Sequence, residues 1–167
     1  MSAGPKLATE ATFLAAYTGR SSRRDAHDRE ILTFALGDET YGVDIVHLRE
    51  ISKMRPPTEL PRVPDYLLGI IALRGTVIPI LDLRLRMGLT AAEPTRAARV
   101  LIVDHDDEPF GLLVDRVIKV ERMASEQIET APGGVASEYV SAVARSHDEL
   151  IVLLDLAAVV SFAEEIG

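Results

Sequence analysis

Four histidines and a set of strand-ending aspartates are the residues with which this chain could do chemistry. His27, His47, His105 and His147 are scattered, with no His-x-x-x-His pair to seed a zinc or di-iron site. His105 lies in the acidic run Asp104-His105-Asp106-Asp107-Glu108. A calcium loop needs ligands at alternating positions and a central glycine, which this run lacks, so it reads as a solvated hairpin tip. Asp44, Asp82, Asp115 and Asp155 each end an apolar run. Four carboxylates would suit acid–base work. Their matched positions in the two halves of the chain point instead to helix N-caps or turn residues. Phosphate-binding glycine loops and a Gly-x-Ser-x-Gly nucleophile elbow are missing. The sequence therefore predicts no catalytic residue, no metal site and no cofactor. Arg74 stands apart, at a turn between two very apolar runs. It is either a turn residue bonded to nearby carbonyls or a contact residue on a rigid hairpin, where its planar fork makes directed bonds.

The elements that carry these residues come twice. Tyr41-Gly42 opens an apolar run, and Phe110-Gly111 opens another 69 residues later. Tyr66 precedes Asp82-Leu83 by 16 residues, and Tyr139 precedes Asp155-Leu156 by the same 16. The second of these pairs lies 73 residues after the first. This period is too long for a solenoid unit and fits two small barrels of similar design, fused.

Composition sets the limits. The chain has 167 residues, 47% of them apolar and 26% charged, with no Trp and no Cys. The core must be aliphatic, and disulfide or thiolate chemistry is excluded. The net charge of −8 argues against nucleic acid and against docking on anionic lipid. No apolar stretch approaches the ~20 residues that span a bilayer, and the first twenty residues make a poor signal peptide. A soluble cytoplasmic protein without direct membrane insertion is expected.

Residues 1–29 are rich in small and polar types, and read as a disordered or partly helical arm. Leu7, Phe13, Leu14 and Tyr17 would give such a helix its apolar face. Residues 30–165 form the folded part, with repeats at about 31–89 and 98–163. Leu32 to Leu36 and Thr40 to Ile45 form a hairpin. Ile45, Leu48, Ile51 and Met54 recur every third residue, which suits one or two helical turns after Asp44. The proline-rich stretch 56–64 is extended loop. Tyr66 to Leu73 and Val77 to Leu81 form a hairpin buried on both faces, with Pro79 placing its strand at an edge or bulge. Leu83 to Gly88 is a helical turn closed by Gly88, and 91–98 is a linker. In the second half Val100–Val103 pairs with Phe110–Val114, and Val114, Val117 and Val120 continue the apolar face. Pro132-Gly133-Gly134 is a loop. Tyr139–Ala144 pairs with Leu150–Leu154, and Leu156–Ala163 is a closing helix. Short, closely spaced strands of this kind predict barrels.

The run from Leu36-Gly37-Asp38-Glu39-Thr40-Tyr41-Gly42-Val43-Asp44-Ile45 through Leu48-Arg49-Glu50-Ile51 to Gly69-Ile70-Ile71-Ala72-Leu73-Arg74-Gly75-Thr76-Val77-Ile78-Pro79-Ile80-Leu81-Asp82-Leu83-Arg84 resembles the CheW family of chemotaxis coupling proteins. Gly111-Leu112-Leu113-Val114-Asp115 and Ile151-Val152-Leu153-Leu154-Asp155 resemble its second half. The resemblance implies two SH3-like five-stranded β-barrels packed together, with short helices and no enzyme activity. It implies an adaptor, located at receptor arrays, that couples a chemoreceptor's cytoplasmic tip to the regulatory domain of a chemotaxis-type histidine kinase. An adaptor of a specialised pathway, binding only one of the two, is the alternative. Carried over by motif, the protein-binding residues are Leu48, Glu50, Gly69, Arg74, Gly75 and Val120. Ala72 stands where the family usually has Asn, which removes an amide donor and acceptor.

Overall fold

The computed structural model describes residues 28–131 and 138–162. Of the arm expected at 1–29, residues 1–27 lie outside the described residues, as do the Pro132-Gly133-Gly134 loop and Ala163, while Arg29 already begins the first strand. The architecture is mainly β: two SH3-like barrels packed together, with short helices. The strands are β1 (Arg29–Leu36), β2 (Glu39–Asp44), β3 (Leu48–Lys53), β4 (Leu67–Leu73), β5 (Thr76–Asp82) and β6 (Arg99–His105). They continue as β7 (Glu108–Val114), β8 (Arg116–Met123), β9 (Ile128–Thr130), β10 (Val140–Ser146) and β11 (Glu149–Leu154). One sheet runs β3-β6-β7-β5-β4, and the other runs β8-β1-β2-β11-β10-β9, with the three-residue β9 as an added sixth strand.

The repeat does not map one half of the chain onto one sheet. The β1–β2 hairpin lies in the sheet of β8 to β11, and the β6–β7 hairpin lies in the sheet of β3, β4 and β5. Two parallel junctions make the exchange. At one, Leu153 of β11 faces Gly42 of β2, and at the other, Ile80 of β5 faces Gly111 of β7. Leu153 follows Ile80 by the 73-residue spacing, and Gly111 follows Gly42 by the 69-residue one, so the same junction is built twice. Both glycines answer to crowding. A Cβ on Gly42 would lie 2.5 Å from Ile31 Cγ2, and one on Gly111 would lie 2.4 Å from Ile80 Cδ1 and 2.9 Å from Val100 Cγ1. Neither glycine has a left-handed φ, so what each junction needs is space.

Alternation along the strands then divides the core. Tyr41, Val43, Phe110 and Leu112 point into a cluster shared by the two sheets, with Leu32, Phe34, Leu101 and Val103. Ile71, Ile78, Ile80, Val100 and Ile102 fill one barrel, and Ile31, Met123, Ala144, Ile151 and Leu153 fill the other.

Several expectations need correction. Only a single 3-10 turn, Ile45–His47, follows Asp44, and Leu48 already begins β3. Between Leu48 and Glu50 the register with β6 slips by one residue, so Leu48 and Ile51, three apart, both reach the shared core. A bulge thus imitates a helical period. The same slip recurs in β8, where Thr33 faces Lys119 but Phe34 faces Val117. That bulge explains the three-residue spacing of Val117 and Val120. The β4–β5 hairpin is not buried on both faces, because Ala72 is exposed and Val77 is 60% exposed. Pro79 sits in an interior strand, tolerated because the ladder with β7 begins only at Ile80.

The first helix, α1 (Leu83–Arg86), is capped by Asp82, whose Oδ1 accepts from Leu85 N at 3.3 Å. It ends as expected at Gly88, with φ +81° and the paired bonds Gly88 N to Leu85 O and Leu89 N to Arg84 O. The second helix, α2 (Leu156–Val159), repeats this with Asp155 Oδ1 accepting from Ala158 N at 3.2 Å. It stops well short of the expected Ala163. Its last carbonyls are taken by side chains, Ala158 O by Ser161 Oγ at 2.8 Å and Val159 O by Arg86 Nε at 2.9 Å.

Asp44 and Asp115 are also structural. Asp44 accepts from Val46 N and from Arg29 Nε, each at 3.0 Å. Asp115 accepts from Gly37 N at 2.7 Å and from both Nε and Nη2 of Arg84 at 2.9 and 2.6 Å, tying the β1–β2 turn to α1. The Arg84 hydrogen bonds hold the Asp115 carboxyl below its ordinary range, while burial pushes Asp82 above it. A depressed carboxyl stabilises the fold above its unfolded value, and that contribution is lost as pH falls through the folded value. Asp82 acts in the opposite sense, since acid relieves the cost of its buried charge.

Two outcomes follow from this frame. Gly42→Ala lowers stability by about 1–3 kcal/mol, read as a lower urea midpoint at unchanged slope; an unchanged midpoint would show that the junction has room to spare. Asp115→Asn lowers stability at neutral pH, and its deficit shrinks below about pH 4, near the unfolded-chain value. Urea titrations across pH check this, and a deficit independent of pH contradicts it.

Candidate protein-binding site

The β4–β5 hairpin closes on the pair Leu73 and Thr76, with Arg74 and Gly75 as its two loop residues. Both have positive φ, +50° and +82°, which is a type I′ turn matched to the twist of the strands. Gly75 is needed for this φ and not for packing, since a Cβ there would meet nothing within 4 Å. Asp106-Asp107 and His147-Asp148 make the corresponding turns elsewhere with both φ positive. Asp tolerates the left-handed region through local hydrogen bonds, whereas an arginine there costs about 1–2 kcal/mol.

Arg74 recovers little of that cost. Its Nη1 and Nη2 lie 2.8 and 2.7 Å from Glu50 Oε2, and its side chain remains 68% exposed. An ion pair so exposed returns about 0.2–1 kcal/mol. Fold stability therefore gives no reason for an arginine at this turn. Strain kept at an exposed position points to use. The pair also spans the ends of the sheet, since Glu50 lies on edge strand β3 and Arg74 follows edge strand β4.

The other carried-over residues divide. Leu48 lies on β3 beside Glu50, half-buried against the shared core. Gly69, with φ +143°, lies where a Cβ would be 2.2 Å from Thr58 O. Thr58 and Ile70 exchange backbone bonds of 2.8 and 2.9 Å, so Gly69 lets the proline-rich segment cross β4. Val120 is 7% exposed, on β8 of the other sheet, and packs in the shared core. The structure thus gathers Glu50, Arg74 and Gly75 at one tip, with Leu48 and Gly69 on the adjoining strands, and leaves Val120 apart as a core side chain.

Sequence reasoning singled out Ala72 but missed Val77 on this surface. Val77, 60% exposed, lies just past the turn, and Ala72 is its cross-strand partner. The second barrel repeats the plan, with Glu121 of β8 bonded to Ser146 Oγ and Leu150 53% exposed beside the His147-Asp148 turn. Leu150 follows Val77, and His147 follows Arg74, by the same 73 residues, so extending the repeat arithmetic would have found them.

The remaining polar groups serve structure. Asp82, Arg84 and Asp115 line a cavity of about 140 Å³ under the linker. Arg29, Asp44, His47, His105 and Asp155 line a more open one of about 380 Å³. The aspartates named here are those already engaged in caps and ion pairs. Among the described residues no group of three or more His, Cys, Asp or Glu side chains is placed to hold a metal ion. Among them also, no helix is long and apolar enough to cross a membrane.

Comparison with known proteins agrees with this geometry. The family model described as CheW-like domain matches residues 30–164. The probable chemotaxis protein CheW of Rhizobium etli is 34% identical over 140 residues, covering 82% of this chain and 90% of the relative. Chemotaxis protein CheW of Rhizobium meliloti is 36% identical over 135 residues, covering 78% and 86%. Among solved structures, the scaffolding protein TtCheW of Thermoanaerobacter tengcongensis superposes with a TM-score of 0.76 at 31% identity, covering 80% of this chain and 92% of that one. With the double barrel, the matched turns and these relatives in agreement, the chain belongs to the CheW-like family of chemotaxis scaffold proteins.

Proposed function

We propose that this chain is a non-catalytic adaptor that couples chemoreceptors to a chemotaxis-type histidine kinase, working in the cytoplasm at receptor arrays. One observation carries the reading beyond family membership. Arg74 is held in a strained, rigid turn, exposed beside an equally exposed Val77, at a cost its ion pair does not return. A directed cation next to an aliphatic surface is an interface pattern. Single contacts of this size are weak, and an array of many copies gains avidity from effective concentration. The partners are the kinase's regulatory domain and the receptor's cytoplasmic tip. A second reading, an adaptor that has kept only one of them, is favoured by the exposed Ala72 beside the turn, which offers no amide to a polar partner.

Calorimetry with the kinase regulatory domain and a receptor-tip fragment, first separately and then together, tests both. Simultaneous binding supports coupling. Binding of one alone supports the second reading, and binding of neither removes both.

Substitutions at Arg74 separate binding from folding. Arg74→Ala weakens at least one partner by about 1–2 kcal/mol, while its urea midpoint barely moves. Arg74→Asn raises stability by up to about 1 kcal/mol, since Asn suits the turn, and still loses binding. A strongly destabilised Arg74→Ala with unchanged affinity would make the arginine structural. Glu50→Ala loses affinity for the same partner, and that loss shrinks as salt is raised; affinity indifferent to both salt and substitution would take Glu50 out of the interface.

A further inference from the structure

Arg86 is a second arginine in an unusual place. It sits in α1 and is 5% exposed. Its guanidinium lies 4.4 Å from the ring centroid of Tyr66 and 4.9 Å from that of Tyr139, the matched tyrosines of the two halves. Its Nε donates to Val159 O at 2.9 Å, and Nη2 to Ala158 O at 3.2 Å and Ser161 Oγ at 3.4 Å. Val159 follows Arg86 by 73 residues and is its counterpart in the repeat. The two halves therefore differ at this position, and the arginine of one half grips the last turn of the other.

What it grips is a segment outside the sheets. After Leu154 the chain leaves β11, and the described strand pairing includes none of residues 156–162. Leu156, Val159, Val160 and Phe162 are buried. The Phe162 ring stands edge-on to Tyr66 at 6.4 Å and to Phe110 at 5.7 Å. Burying four apolar side chains and ordering seven residues are free energies of similar size and opposite sign. Directed bonds then decide whether the segment stays down.

We propose that Arg86 is a latch that holds residues 156–162 closed over Tyr66 and Phe110, and that this segment opens as a local unit while both sheets stay intact. Opening uncovers an aromatic surface between the barrels.

Hydrogen exchange of the full chain, read by mass spectrometry, tests it in wild type, Arg86→Met and Arg86→Lys. Met keeps length and apolar bulk but removes the charge and the donors. Lys keeps a cation over the rings. In Arg86→Met, peptides covering 156–162 exchange about tenfold faster or more, while those of β1, β6 and β7 are unchanged. Arg86→Lys falls between. Equal acceleration throughout would reduce Arg86 to a contributor to global stability and overturn the latch, as would unchanged exchange at 156–162. Loss of folding in Arg86→Met would also overturn it, because a latch can be lost without the sheets.

Discussion

The structure depends on two places where parallel strands from opposite halves of the chain meet with no side chain between them. Gly42 lies against Leu153, and Gly111 against Ile80, each with a branched side chain within 2.5 Å of where a Cβ would sit. Those contacts let β2 join β11 and β7 join β5, and so weave each barrel from both halves. The shared cluster of Tyr41, Val43, Phe110 and Leu112 follows directly, because residues flanking the glycines must point the other way. A repeated sequence thereby gives one woven body.

That body explains how the tip can carry an arginine in an unfavourable conformation. The hairpin bearing Arg74 is stapled by Ile71, Ile78 and Ile80 inside its barrel and by the crossing of Thr58 over Gly69. Rigidity beneath the turn holds the guanidinium in place, and the ion pair with Glu50 aims it. The residues that could have suggested catalysis have a quieter use. Asp82 and Asp155 begin helices, Asp44 holds Arg29, and Asp115 joins the first hairpin turn to Arg84.

The sequence showed what is written locally. Alternating apolar residues disclosed the hairpins, and the paired spacings disclosed the repeat and the caps. The strand exchange left no local pattern, since pairing across more than a hundred residues, as between Gly42 and Leu153, is marked only by a glycine. The bulges at Arg49 and Ile118 shifted the apolar period from two to three, which made a strand look helical. Val120 followed the motif into the list of contact residues because a motif does not distinguish the face of a strand from its back. Arg86 escaped notice because its hydrogen-bond partners lie more than seventy residues away, and its meaning lies in being unlike Val159.

The woven core is tested most directly by cutting the chain in its linker, between Glu93 and Pro94, and comparing the two pieces with their complex. The account predicts that the nicked protein stays together and unfolds in a single transition. It also predicts that each piece, once separated in denaturant and returned to buffer, lacks dispersed amide resonances until the other is added. A single piece that folds cooperatively by itself would mean that each half builds its own barrel, and would contradict the exchange on which the rest stands.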